Sequence, residues 1–164
     1  MASVANSKLL SAPEGIQDIR DAFVILIKTE WNAGVVDELE RGAVRVLEAQ
    51  GLRHRTLVVP GAVELPFAIQ QFWSYNQTAD AFIALGAVVR GDTPHFEYVC
   101  QSVTSGITQL NLALPVPVIF GVLTVNSEEQ ASERIGGRHG HKGEEAALTA
   151  IKMILFKEQI KKEG

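Results

Sequence analysis

One stretch of the chain, residues 81–98, limits the possible folds more than any other. Its first nine residues, AFIALGAVV, contain no polar side chain. An apolar run of this length predicts a strand that is covered on both faces, as in a parallel sheet flanked by helices. Thr93 and Pro94 predict that a helix begins next, since a Thr hydroxyl can cap a free amide and Pro fits the first helical turn. The stretch therefore predicts a strand, a glycine-bounded turn and a helix, in that order.

The same alternation of strand and helix recurs along the chain. Predicted strands cover residues 22–27, 55–59, 81–89 and 117–124. Predicted helices cover residues 32–51, 64–75, 94–112, 127–134 and 143–156. We expect Asn32 to cap the first helix, residues 136–143 to form a glycine-rich loop, and the charged tail 157–163 to fray. This order predicts an α/β fold: a three-layer αβα sandwich, flavodoxin-like, with a four-stranded parallel sheet and helices on both faces.

Composition excludes several classes of protein. The 164 residues carry a formal net charge of -4, which disfavours nucleic acid as a partner because phosphate backbones require a basic surface. Cys100 is the only cysteine, so neither an internal disulfide nor a cysteine-based zinc site can form. No apolar run reaches the ~18 residues that span a bilayer, so no membrane is expected. We expect a cytoplasmic protein with a flexible arm, residues 1–19, and a single domain, residues 20–164.

Unusual side chains follow the predicted strands, and ligands of such sheets bind outside the carboxyl ends of the strands. Trp31 can stack on a heterocycle or lie half-buried at the sheet edge. Glu64 can bind a ligand or complement the dipole of the helix that it precedes. His95 can transfer a proton near neutral pH or have a purely structural role. The pattern predicts a site at this edge of the sheet and leaves these roles open.

The turn after the third predicted strand has the composition of a phosphate site. Gly91, Asp92 and Thr93 can present backbone amides and a hydroxyl to a phosphate, beside Arg90 and at the N-terminus of a helix. The turn is neither a Walker loop nor a dinucleotide GxGxxG motif. ATP and NAD are therefore disfavoured, whereas a small phosphate ester remains compatible.

Basic residues also surround the glycine-rich loop. Arg134 and Lys142 flank it, and they form either a cationic clamp or a pair of solvated charges. His139 and His141 lie two residues apart, but no carboxylate or cysteine pattern beside them supports a metal site.

Several of these motifs, taken together, resemble the lumazine synthase family. The similar blocks occur in the family's order, at residues 59–66, 85–98, 117–124, 129–134 and 142–147. The resemblance implies a transferase of riboflavin biosynthesis that condenses 5-amino-6-(D-ribitylamino)uracil with 3,4-dihydroxy-2-butanone 4-phosphate. Its products are 6,7-dimethyl-8-ribityllumazine, phosphate and water. A non-catalytic flavin- or lumazine-binding relative, or a shell-forming one, is the alternative.

The resemblance also assigns roles to residues, which divide into two substrate sets and one proton-transfer residue. The pyrimidinedione set comprises Trp31, Ala62, Val63, Glu64, Ala87, Val88, Val89 and Phe120. The phosphate set comprises Asp92, Thr93, Arg134 and Lys142. His95 is the implied catalytic residue, and no metal or organic cofactor is implied.

The implied partners are further copies of the same chain. Phe120, Arg134 and Lys142 are expected to reach the pocket from the neighbouring subunit. The loop of residues 135–143 carries no insertion, which is compatible with a homopentamer and leaves a decamer, a sixty-subunit icosahedral shell and association with riboflavin synthase open. His141 stands where the family often has Asn, and its role is also open.

Overall fold

Four parallel strands form the central sheet of this computed structural model, which describes residues 7–11 and 13–164. The strands are β1 (Phe23–Thr29), β2 (Arg53–Val59), β3 (Ala81–Val89) and β4 (Val118–Val125). Their order across the sheet is β2-β1-β3-β4, so β4 is an edge strand. Most side chains of β1 and β3 are fully buried, because both strands lie in the centre of the sheet. The predicted parallel sheet is confirmed, and the predicted bounds differ by at most two residues at either end.

Helices cover both faces of this sheet, as predicted. They are α1 (Ala33–Ala49), α2 (Leu65–Tyr75), α3 (His95–Ala113), α4 (Glu128–Ser132) and α5 (Lys142–Glu163). Apolar residues of α1 and α5 form one buried cluster with the sheet. Residues of α2 and α3 form the other cluster, on the opposite face. The result is the predicted three-layer, flavodoxin-like sandwich.

Three local expectations were wrong. Asn32 does not cap α1 with its side chain; its amide Nδ2 instead donates to the Ala87 carbonyl at 2.7 Å, and the residue adopts a left-handed conformation (φ 57). The glycine-rich loop contains a small antiparallel hairpin, β5 (Ile135–Gly137) and β6 (Gly140–His141). Residues 157–163 continue α5 rather than fray, and two of their lysines form ion pairs: Lys161 with Glu158, and Lys162 with Asp18.

The described part of the N-terminal segment lies against α5. The ammonium of Lys152 donates to the carbonyls of Lys8 and Leu9 at 2.9 and 2.6 Å. A 3-10 helix follows at Ile16–Ile19, and Ile19 is buried in the core. The rest of the expected arm, residues 1–6 and 12, lies outside the described residues. Among the described helices, none combines the length and apolar character needed to cross a membrane.

Candidate active site

A cavity of about 370 Å³ lies at the carboxyl ends of β1 and β3. Its size is typical of a site for a small heterocyclic ligand. The lining includes most of the predicted pyrimidinedione set and the predicted proton-transfer residue: Trp31, Ala62, Val63, Glu64, Ala87, Val88, Val89 and His95. The sheet edge that the sequence indicated is therefore concave, and these residues share one cavity.

Trp31 forms one side of the cavity and is mostly accessible. Its backbone amide donates to the Pro60 carbonyl at 3.2 Å, which holds the residue beside the turn after β2. The residue is 71% exposed. A flat aromatic face that is open to a cavity can stack on a planar ligand, so the exposure favours stacking over the half-buried alternative.

Trp31 and Glu64 both lie close to Gly61. A Cβ atom at Gly61 would lie 3.3 Å from Cδ1 of the indole and 3.0 Å from Oε2 of the carboxylate. A side chain at this position would therefore crowd both groups. Glu64 ends a 3-10 helix (Ala62–Glu64) and precedes α2, but its carboxylate caps no backbone amide there. The carboxylate thus remains available to a ligand.

The end of β3 presents a free backbone edge to the cavity. On the side of β1, the strand pairing ends at Lys28 and Leu85, whereas β3 continues to Val89. Beyond that point the Ala87 carbonyl accepts from Asn32. Unpaired strand groups offer alternating donors and acceptors, which suits a ring with alternating carbonyl and N–H groups.

His95 is the first residue of α3 and lines the cavity. Its backbone amide lies 3.4 Å from the Thr93 hydroxyl, a long hydrogen bond that supports the predicted role of Thr93 at the helix start. The helix begins one residue later than expected, with Pro94 at the cap position. His95 is exposed, so its imidazole is accessible to a ligand in the cavity.

Arg90 does not lie free beside this turn. Its guanidinium donates to Asn126 Oδ1 at 2.9 Å, pairs with Glu97 and lies 4.2 Å above the centre of the Phe96 ring. The hydrogen bond from Arg90 lowers the pKa of the Glu97 carboxyl. Arg90 therefore joins the start of α3 to the end of β4, and its charge is already paired.

The remaining predicted residues lie elsewhere in the chain. Phe120 and Lys142 line a second cavity, of about 560 Å³, along the β4 edge. Phe120 is 41% exposed there. The ammonium of Lys142 lies 2.9 and 2.8 Å from the two oxygens of Glu145. Within one chain, the structure does not bring these two residues into the cavity that Trp31 lines.

The phosphate set is not assembled within one chain either. Asp92 and Thr93 are exposed in the turn between β3 and α3, and they line neither of these two cavities. Arg134 follows α4, and its Nη1 donates to the Gln130 carbonyl at 2.7 Å. The structure therefore places these residues in two separate parts of the surface.

Sequence reasoning missed two contributors to the first cavity. Asn32 was assigned to helix capping, but it lines the cavity and fixes the Ala87 carbonyl. Val99, one turn along α3, completes the wall near His95. An Asn between a strand and a helix tolerates a left-handed backbone, and this was the available signal for its unusual position.

The described residues contain no group of three or more His, Cys, Asp or Glu side chains that could hold a metal ion. The two histidines of the glycine-rich segment face different carboxylates. His139 Nε2 lies 3.7 Å from Glu133, and His141 Nε2 lies 3.5 Å from Glu38.

Comparisons with known proteins agree on one family. A family model described as 6,7-dimethyl-8-ribityllumazine synthase matches residues 21–158. A protein of that name from Parabacteroides distasonis is 45% identical over 144 residues, which cover 86% of this chain and 89% of the relative. One from Bacteroides fragilis is 46% identical over 134 residues, with 80% and 93% covered. One from Cytophaga hutchinsonii is 41% identical over 155 residues, with 93% and 97% covered.

Proposed function

Since the chain belongs to the 6,7-dimethyl-8-ribityllumazine synthase family, we propose that its first cavity binds the substrates of that enzyme and condenses them. The substrates are 5-amino-6-(D-ribitylamino)uracil and 3,4-dihydroxy-2-butanone 4-phosphate. The products are 6,7-dimethyl-8-ribityllumazine, phosphate and water, in the penultimate step of riboflavin biosynthesis. The observation that carries the proposal is the gathering of an exposed indole, a carboxylate, a free strand edge and a histidine around one cavity.

The pyrimidinedione binds between an aromatic face and a backbone edge. Trp31 stacks on the ring, and Glu64 accepts hydrogen bonds from the ribityl chain or the ring. Backbone groups of Ala87, Val88 and Val89 that are not already bonded to Asn32 or to β4 recognise the edge of the ring. The open end of β3 and the exposure of Trp31 support this orientation.

His95 moves the protons of the reaction. The primary amine of the pyrimidinedione attacks the ketone, and water leaves to form an imine. Phosphate then leaves by elimination, and the second nitrogen closes the ring with loss of a second water. Each step needs a proton added or removed, which a histidine can do near neutral pH. Holding both substrates side by side supplies a further large part of the rate.

A second copy of the chain completes the site. Phe120, Arg134 and Lys142 of that copy close the pocket, with Asp92 and Thr93 of the first copy on the phosphate. The exposed Phe120 on the edge strand β4 supports such a contact. The proposed assembly is a homopentamer, and larger shells would use the same pairwise contact.

Product formation from both substrates, followed optically, tests this function. Purified chain should form the lumazine product and elute as an oligomer in the same sample. A monomer that turns over at the normal rate would refute the shared site. A yellow protein that binds flavin or lumazine and forms no product would refute the catalytic role.

A further inference from the structure

His141 is one of two polar side chains that are buried in the described part of the chain; the other is Thr29. The imidazole is 8% exposed. It precedes the first residue of α5, on the short strand β6. The proposed chemistry does not use it, although its neighbours in sequence include Lys142.

The imidazole lies against the backbone of α1. A Cβ atom added at Gly42 would lie 2.0 Å from Cε1 of His141 and 2.4 Å from Nδ1. Only a glycine leaves room for the ring at that point. Gly143, two residues after His141, approaches α1 equally closely, since a Cβ atom at Gly143 would lie 2.0 Å from the Leu39 carbonyl oxygen. The start of α5 therefore packs closely against α1 at two points, each of which requires a glycine: Gly42 and Gly143.

The two ring nitrogens of His141 contact two different helices, Nδ1 contacting α5 and Nε2 contacting α1. Nδ1 accepts from the Glu144 backbone amide at 3.4 Å, in the first turn of α5. Nε2 lies 3.5 Å from Oε1 of Glu38 on α1. A neutral imidazole with its proton on Nε2 satisfies both contacts. The facing carboxylate of Glu38 is itself paired with Arg41, and the carboxylate of Glu144 is paired with Arg45.

Backbone contacts link His141 to both basic residues of the proposed phosphate site. His141 pairs with Ile135 across the β5–β6 hairpin, and Ile135 directly follows Arg134. The amide of Lys142 donates to the Arg134 carbonyl at 2.8 Å. A displacement of His141 would therefore move Arg134 and Lys142 as well.

We propose that His141 is a positioning residue, which clamps the β5–β6 hairpin to α1 and so fixes Arg134 and Lys142 at the spacing that the phosphate of the substrate requires. The proposal rests on the proposed function for the roles of Arg134 and Lys142. His141 touches no substrate. Its loss affects the phosphate substrate alone, because the pyrimidinedione residues lie on other elements.

Steady-state kinetics of His141→Ala and His141→Asn test the proposal. His141→Ala should raise the KM for 3,4-dihydroxy-2-butanone 4-phosphate by roughly 10- to 100-fold, since small displacements of binding groups cost this much. The KM for the pyrimidinedione should stay unchanged. His141→Asn should recover most of the loss, because an Asn side chain can still accept from the amide in the first turn of α5. His139 lies on the same loop and faces Glu133 at the end of α4, so His139→Ala is the matched control and should behave as wild type.

Gly42→Ala provides an independent variant, since the added methyl group displaces the imidazole while His141 itself is retained. It should reproduce the selective KM change. If His141→Ala does not fold, Glu38→Ala takes its place: it releases only the Nε2 end and should raise the same KM by a smaller factor. Equal increases of both KM values, no rescue by Asn, or an unchanged KM in a folded variant would overturn the proposal.

Binding of inorganic phosphate, measured by calorimetry, separates this inference from the proposed function. His141→Ala should weaken phosphate binding, and His139→Ala should not. If the wild-type chain forms no product and His141→Ala still weakens phosphate binding, the proposed function fails while the positioning role stands. Unchanged phosphate affinity in His141→Ala would refute the positioning role.

Discussion

At the scale of single residues, the cavity combines groups whose environments differ sharply. Trp31 and His95 are exposed at its mouth, whereas Asn32 is committed to the Ala87 carbonyl behind them. Exposed side chains are available to a ligand, whereas a side chain that is hydrogen-bonded to the backbone, as Asn32 is, keeps that backbone in place. Substitutions of the two kinds should therefore have different kinetic signatures.

Replacement of His95 should slow the chemical steps. His95→Ala is expected to lower kcat by roughly 10²–10⁴-fold, the usual contribution of a general acid or base, with smaller changes in both KM values. The measurement is product formation at saturating concentrations of both substrates. His54→Ala is a suitable control, because His54 lies near the start of β2, at the end of the sheet away from the cavity. Its Nε2 lies 3.7 Å from Glu48. An unchanged kcat in His95→Ala would remove the residue from the mechanism.

Replacement of Trp31 should weaken one substrate only. Trp31→Ala is expected to reduce pyrimidinedione affinity by about 1–3 kcal/mol, as for the loss of an aromatic partner stacked on a base. Trp31→Phe should retain most of that affinity, since it keeps an aromatic face. Trp73 is partly buried against Phe82, with ring centroids 6.5 Å apart, and does not line the cavity, so fluorescence changes on titration report on Trp31. Equal losses in the Ala and Phe variants would contradict stacking.

At the scale of elements, the start of α3 depends on a contact with β4. Arg90 at the end of β3 pairs with Glu97 in the first turn of α3 and donates to Asn126 after β4. This contact holds the helix that carries His95 against the carboxyl edge of the sheet. The sequence placed Arg90 beside the predicted phosphate-binding turn, but only the tertiary structure shows that its charge is paired with Glu97, seven residues along the chain.

The pairing of Arg90 with Glu97 predicts a dependence on acidity. Arg90 lowers the pKa of Glu97 in the folded chain. The contribution to stability is therefore present above the carboxyl's unfolded pKa and is lost as the pH falls through the lower, folded value, below about pH 4. Glu97→Gln should lose less stability than wild type between pH 5 and about pH 3, as measured by denaturant unfolding. Parallel pH profiles for the two proteins would contradict this assignment.

The helices and strands were largely predictable, because the residues within each element determine its pattern. Strands β1 and β3 are buried on both faces, so β3 is an uninterrupted apolar run and β1 is apolar from Phe23 to Ile27. The hairpin β5–β6 was not predictable, because its position depends on the slot at Gly42, far from His141 in sequence. The continued helix at residues 157–163 contacts Asp18 through Lys162, and Asp18 is equally remote in sequence. Contacts between distant segments decided each of these cases.

At the scale of the whole molecule, the residues predicted to form the site lie in two separate cavities of the fold. The rule that ligands bind at the carboxyl ends of strands located Trp31, Glu64 and His95 correctly in one cavity. The same rule does not predict that Phe120 or Lys142 lies in this cavity, and both residues line the cavity along β4 instead. These residues can complete the same site only if they come from another copy of the chain.

Mixed oligomers test this arrangement directly. Trp31→Ala and Arg134→Ala should each be nearly inactive alone, because each removes one half of every site. When the two variants are unfolded together and reassembled, about a quarter of the sites should combine an intact Trp31 with an intact Arg134 from a neighbour. Activity should rise accordingly on mixing. Activity that stays at the average of the two separate variants would refute a site shared between subunits.

The unequal lengths of β1 and β3 have a consequence for ligand size. Strand pairing stops at Leu85, and β3 continues to Val89, which leaves an overhang of roughly 13 Å at the usual rise per residue. The length of this backbone segment, which is unpaired on the side of β1, limits the size of the ring that it can contact, and side-chain substitutions cannot change that length. Changing the preferred ring size would therefore require an insertion or a deletion in one of these strands, and point mutations would alter affinity within the same size class.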